Sequence, residues 1–388
     1  MKKLIFLWSF FGVFALAAQD YFPKNDGVKS KNTNFTAITN AKIYITPSES
    51  IENGTLLIRE GKVINVGTNV VVPKNTVIID IKGKSIYPSF IDLYSDFGVE
   101  KPKRKSGGSR SPVYSASREG FYWNDHIRPE QNAIDHFNYD KKTAKSLLEA
   151  GFGVVNTHLQ DGVVRGTGAL VALDSKGSDS QRILSDQSAQ YLSFTKSVRS
   201  QQYYPSSIMG TMALLRQLYY DADWYAKGNV NTKDRSIEAF NQNKNQIQII
   251  EAGSRADDLR ADSVGDAFGV QYVILGGGDE YERINDIKNT KATFILPLNF
   301  PKAYDVENTF LTNSLELEAM KEWNQRPGNP MTLHSNGVAF AFTTKGLKSM
   351  KDFKANLKKA IDYGLDKVTA LEALTTQPAQ ILGNSKLG

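Results

Sequence analysis

One pattern governs what this chain can fold into. From residue 86 to its end, short apolar runs alternate with stretches of helical periodicity. The apolar runs fall at 86–93, 152–157, 169–173, 247–251, 271–275, 292–298 and 338–343, with a weaker one over Gln190–Phe194. Helical patterns fall at 140–150, 207–226, 255–268, 279–288, 314–324, 350–363 and 367–382, and Gly151, Gly269 and Gly364 stand where helices stop. Near-continuous apolar runs mark strands covered on both faces, as in a parallel sheet. Eight such strands with their helices over about 300 residues predict an α/β fold, a (β/α)8 TIM-type barrel. The alternative is an open doubly wound sheet, but no Gly-rich phosphate loop follows the first strand.

The barrel segment, 86–388, is preceded by a different kind of sequence. Residues 35–85 read as strands only, with Glu60-Gly61 as a tight hairpin between Thr55–Arg59 and Lys62–Val66. They predict a small β-sandwich-like subdomain. Residues 19–34 are polar and read as an arm. Residues 1–18 read as a secretory signal: Lys2 and Lys3, an apolar stretch Leu4–Phe14, then Ala15-Leu16-Ala17-Ala18 for cleavage. An exported protein, periplasmic or extracellular, is expected. Two insertions interrupt the barrel. The first, 97–138, carries Lys101, Lys103, Arg104, Lys105 and Arg110 around Gly107-Gly108, then Phe121-Tyr122-Trp123. It is either a solvated loop or a lid over the barrel mouth for an anionic or ring-bearing ligand. The second, 174–206, is polar and ends in Tyr203-Tyr204-Pro205.

Several function classes drop out early. The chain has no cysteine, which removes disulfides, thiol nucleophiles and thiolate zinc sites. Its formal charge of +6 falls to +4 once Lys2 and Lys3 leave with the leader. That balance is mild and mixed along the chain, so nucleic acid is not an expected partner. Beyond the leader no run of apolar residues is long enough to span a bilayer. A small molecule is the expected partner.

Four motifs in order carry a family resemblance. Gly83-Lys84-Ser85-Ile86-Tyr87-Pro88-Ser89-Phe90-Ile91-Asp92 joins the β-subdomain to the first barrel strand. Arg165-Gly166-Thr167-Gly168-Ala169 follows the second strand, Ser254-Arg255-Ala256-Asp257-Asp258 the fifth, and Thr369–Gly383 looks like the last barrel helix. Over about residues 36–388 the chain resembles the amidohydrolase superfamily, near imidazolonepropionase-like and dihydroorotase-like cyclic amidohydrolases. In that family the β-subdomain is completed by strands after the last barrel helix. This sequence stops at Gly388, so the expectation is either a piece of a longer protein, with room for a second domain beyond it, or a chain that lacks those strands.

The resemblance implies one or two divalent metals that activate water for attack on an amide carbon. The family's ligands are a His-x-His pair ending the first strand, a lysine or glutamate on the fourth, histidines on the fifth and sixth, and an aspartate on the eighth. Here those places read Tyr94-Ser95-Asp96, no assignable lysine, Glu251 or Ala252, Gly276-Gly277-Gly278, and Thr343-Thr344. No metal ligand is assigned and the usual dinuclear site is not expected, although the resemblance itself allows a divalent ion. Asp96, His158, Glu251 and Asp279 stand at or near strand ends and are the candidate catalytic groups. They are either oxygen-rich ligands for Ca2+, Mg2+ or Mn2+, a metal-free acid–base pair of Asp96 and His158, or hydrogen-bonding residues of a vestigial cavity. Tyr94, Arg165 and Thr343 are the candidate substrate contacts, with Arg165 gripping a carboxylate. Asp161 and Thr167 are read as polar partners of the turns around them. His126, His136 and His334 are expected at the surface. Two functions follow: hydrolysis of non-peptide C–N bonds, cyclic amides first, or a non-catalytic barrel that binds a ligand or supports a second, catalytic domain.

Overall fold

The structure is a computed structural model that describes residues 35–105, 111–228, 231–384 and 387. The leader and arm expected over 1–34, and Gly107, Gly108 and Arg110 of the first insertion, lie outside the described residues. The chain divides into two compact units, Met1–Ile43 with Ile51–Ile86 and Tyr44–Ser50 with Tyr87–Gly388.

The first unit is one sheet with the order β3-β2-β1-β4, made of β1 (Thr36–Tyr44), β2 (Ser50–Arg59), β3 (Lys62–Gly67) and β4 (Val77–Asp80). The short β5 (Ser85–Ile86) also pairs with β1. β2 and β3 form the expected hairpin, with Arg59 opposite Lys62. Glu60 and Gly61 take φ of 51° and 74°. Two left-handed residues in succession give the turn whose twist matches antiparallel strands. Val63, Ile64, Val77, Ile78 and Ile79 of the outer strands are exposed.

The second unit carries the alternating pattern. Its strands are β6 (Phe90–Ser95), β7 (Phe152–Thr157), β8 (Val164–Thr167), β9 (Ala169–Ala172), β10 (Ile183–Ser185), β11 (Gln190–Ser193), β12 (Gln248–Glu251), β13 (Val273–Leu275), β14 (Thr293–Pro297) and β15 (Phe340–Thr343). β6 pairs β7 in parallel, and β11 to β15 form a continuous parallel run. Their apolar side chains are buried, among them Phe152, Leu192, Ile250, Phe294 and Phe342. The helices used below are α1 (Lys141–Ala150), α2 (Ile208–Ala226), α3 (Arg235–Gln242), α4 (Arg255–Asp266) and α5 (Met350–Asp362). Gly151 ends α1 at φ 109°, and its N–H closes on Leu147 O and Leu148 O. Only glycine holds that conformation without strain.

Three features depart from the sequence reading. The run at 169–173 is not a parallel barrel strand, because β9 lies antiparallel to β7. The glycine-rich stretch before it is a strand as well, β8, antiparallel to β11. Gly166 allows this close packing: it sits at φ 78°, and a Cβ there would run into Gln131 O. The helix expected over 367–382 is two, Lys367–Glu372 and Thr376–Ile381. At the break, Ala373 O accepts from Phe342 N and Leu374 O from Ile91 N.

Those bonds bear on how the strands connect. The ladders form two sheets, β10-β9-β7-β6 and β15-β14-β13-β12-β11-β8, and among the described residues no ladder joins them into a ring. The backbone donors of Ile91 in β6 and Phe342 in β15 are spent on the helix break. Side chains span the gap, since Thr343 Oγ1 of β15 donates to Asp92 Oδ1 of β6 at 2.7 Å.

Candidate functional site

Asp92 and Tyr94 stand two residues apart near the end of β6, where its pairing with β7 shifts register. Both are fully buried. Asp92 accepts four hydrogen bonds. Oδ1 takes Tyr94 N at 3.0 Å and the Thr343 hydroxyl at 2.7 Å, and Oδ2 takes Thr344 N at 3.0 Å and the Thr344 hydroxyl at 2.5 Å. Burial raises its pKa, while the two threonines and the Tyr94 N–H work against that rise. Asp92 is therefore a tie between the ends of β6 and β15, and Thr343 is its partner.

Tyr94 is the centre of the site. Its hydroxyl donates to Glu251 Oε2 at 2.8 Å and accepts from Arg165 Nη1. Arg165 Nη2 lies 2.7 Å from the same Glu251 oxygen, and Arg165 Nε donates to Gly162 O at 3.1 Å. Lys345 Nζ stands 3.5 Å from Glu251 Oε1, 5.0 Å from the Tyr94 ring centroid, and donates to Gln160. Four residues from β6, β8, β12 and the end of β15 thus form one network of two cations, one carboxylate and one phenol.

The network fixes the protonation of Glu251, Tyr94 and Arg165 through the neutral range. Burial pushes Glu251 up, but the Arg165 and Lys345 charges outweigh it and bring the carboxyl down to about 2. Burial foremost pushes the Tyr94 hydroxyl well above its usual value. Burial would lower Arg165, but Tyr94 and Glu251 raise it, so the guanidinium stays charged. His158 is buried against this group. Its ring stacks on Tyr191 at 3.6 Å and meets the Tyr94 ring edge-on at 4.4 Å. Neither ring nitrogen has a hydrogen-bond partner. Burial first, then the Arg165 and Lys345 charges, holds His158 neutral well below its ordinary pKa.

A cleft of 860 Å3 opens above the network, lined by Tyr94, Asp96, Lys101, Gln160, Thr344 and Lys345 among others. Lys142 and Lys348 also line it, against Asp140 as its second carboxylate. Asp96 is half exposed and lies 3.3 Å from Lys101. A side cavity of 290 Å3 brings Asp96, His158, Gln160 and Asp161 to one wall.

The donor set does not fit the divalent centre that the resemblance implies. Both Glu251 oxygens face cations, both Asp92 oxygens are saturated, and Asp96 pairs with Lys101. Among the described residues no three His, Asp or Glu side chains converge to hold an ion. Arg165 and Lys345 put two positive charges beside the Glu251 carboxylate.

The structure brings Tyr94, Arg165 and Glu251 together, with His158 packed on Tyr94. It ties Thr343 to Asp92, one layer below, and leaves Asp96 on the cleft wall. Asp279 is elsewhere: it binds Arg255 through the backbone N at 2.9 Å and Nη1 at 2.7 Å. Arg165 is 2 % exposed and each of its three nitrogens already meets a protein oxygen, so it is not open to a ligand carboxylate. Lys345, missed in the sequence, is the cation of the network that lines the cleft. Its signal was position, directly after Thr343-Thr344, where the eighth strand ends. His126 is not at the surface as expected. It is buried, with Nδ1 accepting from Ser197 N at 3.0 Å and Nε2 3.2 Å from Gln202 O. Asp161 likewise holds the second insertion, accepting from Ser197 Oγ, Val198 N and Arg199 Nε.

No family model matches the chain, and no curated protein does. Solved structures do match. An amidohydrolase from Thermotoga maritima MSB8 superposes with a TM-score of 0.70 at 22% identity, over 90% of this chain and 89% of that one. A Xaa-Pro dipeptidase with methionine bound in its active site superposes with a TM-score of 0.50 at 12% identity, over 91% and 89%. With the motif order on the sequence and this superposition on the structure, the chain has the amidohydrolase-superfamily fold.

Proposed function

We propose that this chain is an exported protein of the amidohydrolase superfamily and that its two sheets curl into the superfamily's barrel, with Thr343 and Asp92 bridging β15 to β6. Its reaction class on this reading is hydrolysis of C–N bonds, and the Arg165–Ala169 motif points to cyclic amides. The observation that carries the reading is the fold shared with an amidohydrolase over nine-tenths of both chains, combined with four motifs in family order.

The Tyr94–Arg165–Glu251–Lys345 network favours a second reading for this segment taken alone. Here the barrel binds a small molecule, or supports a catalytic domain elsewhere in a longer polypeptide, and does no chemistry itself. The cleft carries more lysines than carboxylates, so its ligand on this reading is an anion met by Lys345.

Metal analysis and a substrate panel separate the two readings. Stoichiometric Zn2+, Mn2+ or Ca2+ in the purified chain, lost in Asp96→Ala along with hydrolysis of a cyclic amide, supports the enzyme. A chain that keeps no metal after incubation with each ion and hydrolyses neither cyclic amides nor dipeptides leaves the binding role.

A further inference from the structure

The cleft above the Tyr94 network does not stand alone. A chamber of 450 Å3 adjoins it, and the two share Leu347 and Lys348 as a common wall. The chamber is formed by Asn299–Ala303, which follow β14, and by Trp323 of the helix Leu317–Gln325. α5 closes it with Asp352, Asn356 and Lys359.

Positive charge is left over in both parts. The chamber sets Lys302, Lys348 and Lys359 against Asp352. In the cleft, Asp140 is spent as the cap of α1, accepting from Lys142 N at 2.9 Å and from Thr143 Oγ1 at 2.5 Å. Asp96 is paired with Lys101. Lys302 and Lys348 are exposed, and among the described residues neither forms an ion pair. A concave wall that gathers unpaired charge of one sign concentrates ligands of the other.

The remaining polar groups are side chains with capacity to spare. Gln160 gives its oxygen to Lys345 and keeps Nε2. Ser349 Oγ accepts from Lys351 N and keeps its O–H, and Asn356 gives Nδ2 to Leu298 O at 2.7 Å and keeps its oxygen. β6 and β15 reach the cleft by their last residues, so it offers an extended peptide no strand to lie beside. Tyr94 and Phe97 beneath the cleft are buried. The open aromatic surface is in the chamber, at half-buried Phe300 and Trp323, with Lys359 Nζ 5.4 Å from the Trp323 ring centroid. A nucleic-acid strand stacks base after base on such rings along its whole path, and the cleft provides none.

We infer that cleft and chamber together bind a short oligosaccharide that carries anionic groups, carboxylate or sulfate. Gln160, Ser349 and Asn356 meet its hydroxyls, the lysines meet its acid groups, and Trp323 meets the apolar face of one sugar. The inference rests on the anion-binding reading of the cleft and names the class of anion.

Calorimetric titration of the full chain tests it. The probes are trigalacturonate and a sulfated carrageenan tetrasaccharide, with maltotriose, tri-glutamate and a thymidine trinucleotide as controls. At least one acidic sugar is expected to bind saturably, about tenfold or more tighter than maltotriose. Which of the two binds identifies the acid group. The binding should weaken as NaCl rises from about 50 mM to about 500 mM. Lys348→Glu, on the shared wall, should weaken it about tenfold, and Trp323→Ala about as much. Circular dichroism and melting check that both variants fold, and exposed Lys348 carries the test if Trp323→Ala does not. Equal or tighter binding of tri-glutamate or the trinucleotide would overturn the inference and leave the anion-binding reading standing. Equal binding of maltotriose, or an acidic sugar bound unchanged by folded Lys348→Glu, would overturn it as well. If no probe binds, the anion-binding reading falls with it.

Discussion

Glu251 and Asp258 lie one loop and one helical turn apart, both acidic and both withdrawn from water, yet their pKa values are pushed in opposite directions. Glu251 closes β12 and meets Arg165, Lys345 and the Tyr94 hydroxyl. Its pKa falls to about 2. Asp258 sits in the first turn of α4, fully buried, and neither carboxylate oxygen has a hydrogen-bond partner. Its charged neighbours are Glu280, Asp279 and Asp257, all acidic, and burial with their repulsion raises its pKa well above the ordinary value. Glu280 is buried too and is raised mainly by burial, although Gly278 N and Asn329 donate to it. Burial alone therefore does not set the charge of a carboxyl. What decides it is whether donors and cations arrive with it.

The contrast can be broken at several points. The largest effect is expected from Arg165→Met, which leaves Glu251 with Lys345 and a tyrosine in a buried setting. Breaking one side of such a pair costs about 3–5 kcal/mol. Urea unfolding at neutral pH reads this, and a loss below about 1 kcal/mol would show that the network contributes little.

Next comes the acid limb of the stability profile. Glu251 is depressed in the folded chain, so its contribution is present above the unfolded value of 4.5 and is lost as pH falls toward about 2. By linkage the loss is on the order of 2 kcal/mol. Melting of wild type and Glu251→Gln between pH 5 and pH 2 measures it, with the variant expected to be the flatter of the two in that window.

Asp258 runs the other way. Its raised pKa favours the folded state below the ordinary value of 3.8 and costs stability as pH rises through the folded value. Asp258→Asn mimics the protonated acid, so it should gain about 1–3 kcal/mol over wild type at pH 8. The gain should shrink to nothing near pH 4. Parallel pH profiles for the two proteins would remove the unpaired carboxyl from the account.

The smallest effect belongs to His158. Its nitrogens bond to nothing and its ring is packed between tyrosines, so His158→Phe should change stability by less than about 1.5 kcal/mol, as volume-conserving swaps do. A much larger loss, read from the same unfolding curves, would mean that an imidazole nitrogen has a partner.

Much of the fold was legible in the chain because burial writes itself into local composition. Val154, Ile250, Ile274, Phe294 and Phe342 fall in runs that read as covered strands, and they are covered. Gly61 and Gly151 read as a hairpin and a helix stop because left-handed backbone selects glycine, and both have positive φ. The candidate site was legible in part. Tyr94 and Glu251 were singled out by position at strand ends and Arg165 by its motif after the second strand, and they meet. Asp279 was singled out on the same ground and instead pairs with Arg255. Lys345 went unnoticed, since its position just past the eighth strand does not say which groups it meets. His126 was read as solvated because it stands in a polar insertion, and the packing of Ser197 and Gln202 over it is a contact between distant segments.

By itself the sequence determined the alternation, the turns and the motif order that resembles the amidohydrolases, because these rest on residues near one another along the chain. It also placed Tyr94 and Asp96 where the resemblance implies a histidine pair. The tertiary structure alone decided what fills that place: Arg165, Glu251 and Lys345, brought to Tyr94 from three separate parts of the chain. It decided as well that Glu251 is held as the carboxylate while Asp258 is pushed toward the neutral acid. The charge of a buried group is set by the donors within a few ångströms of it, and sequence spacing does not specify which donors those are.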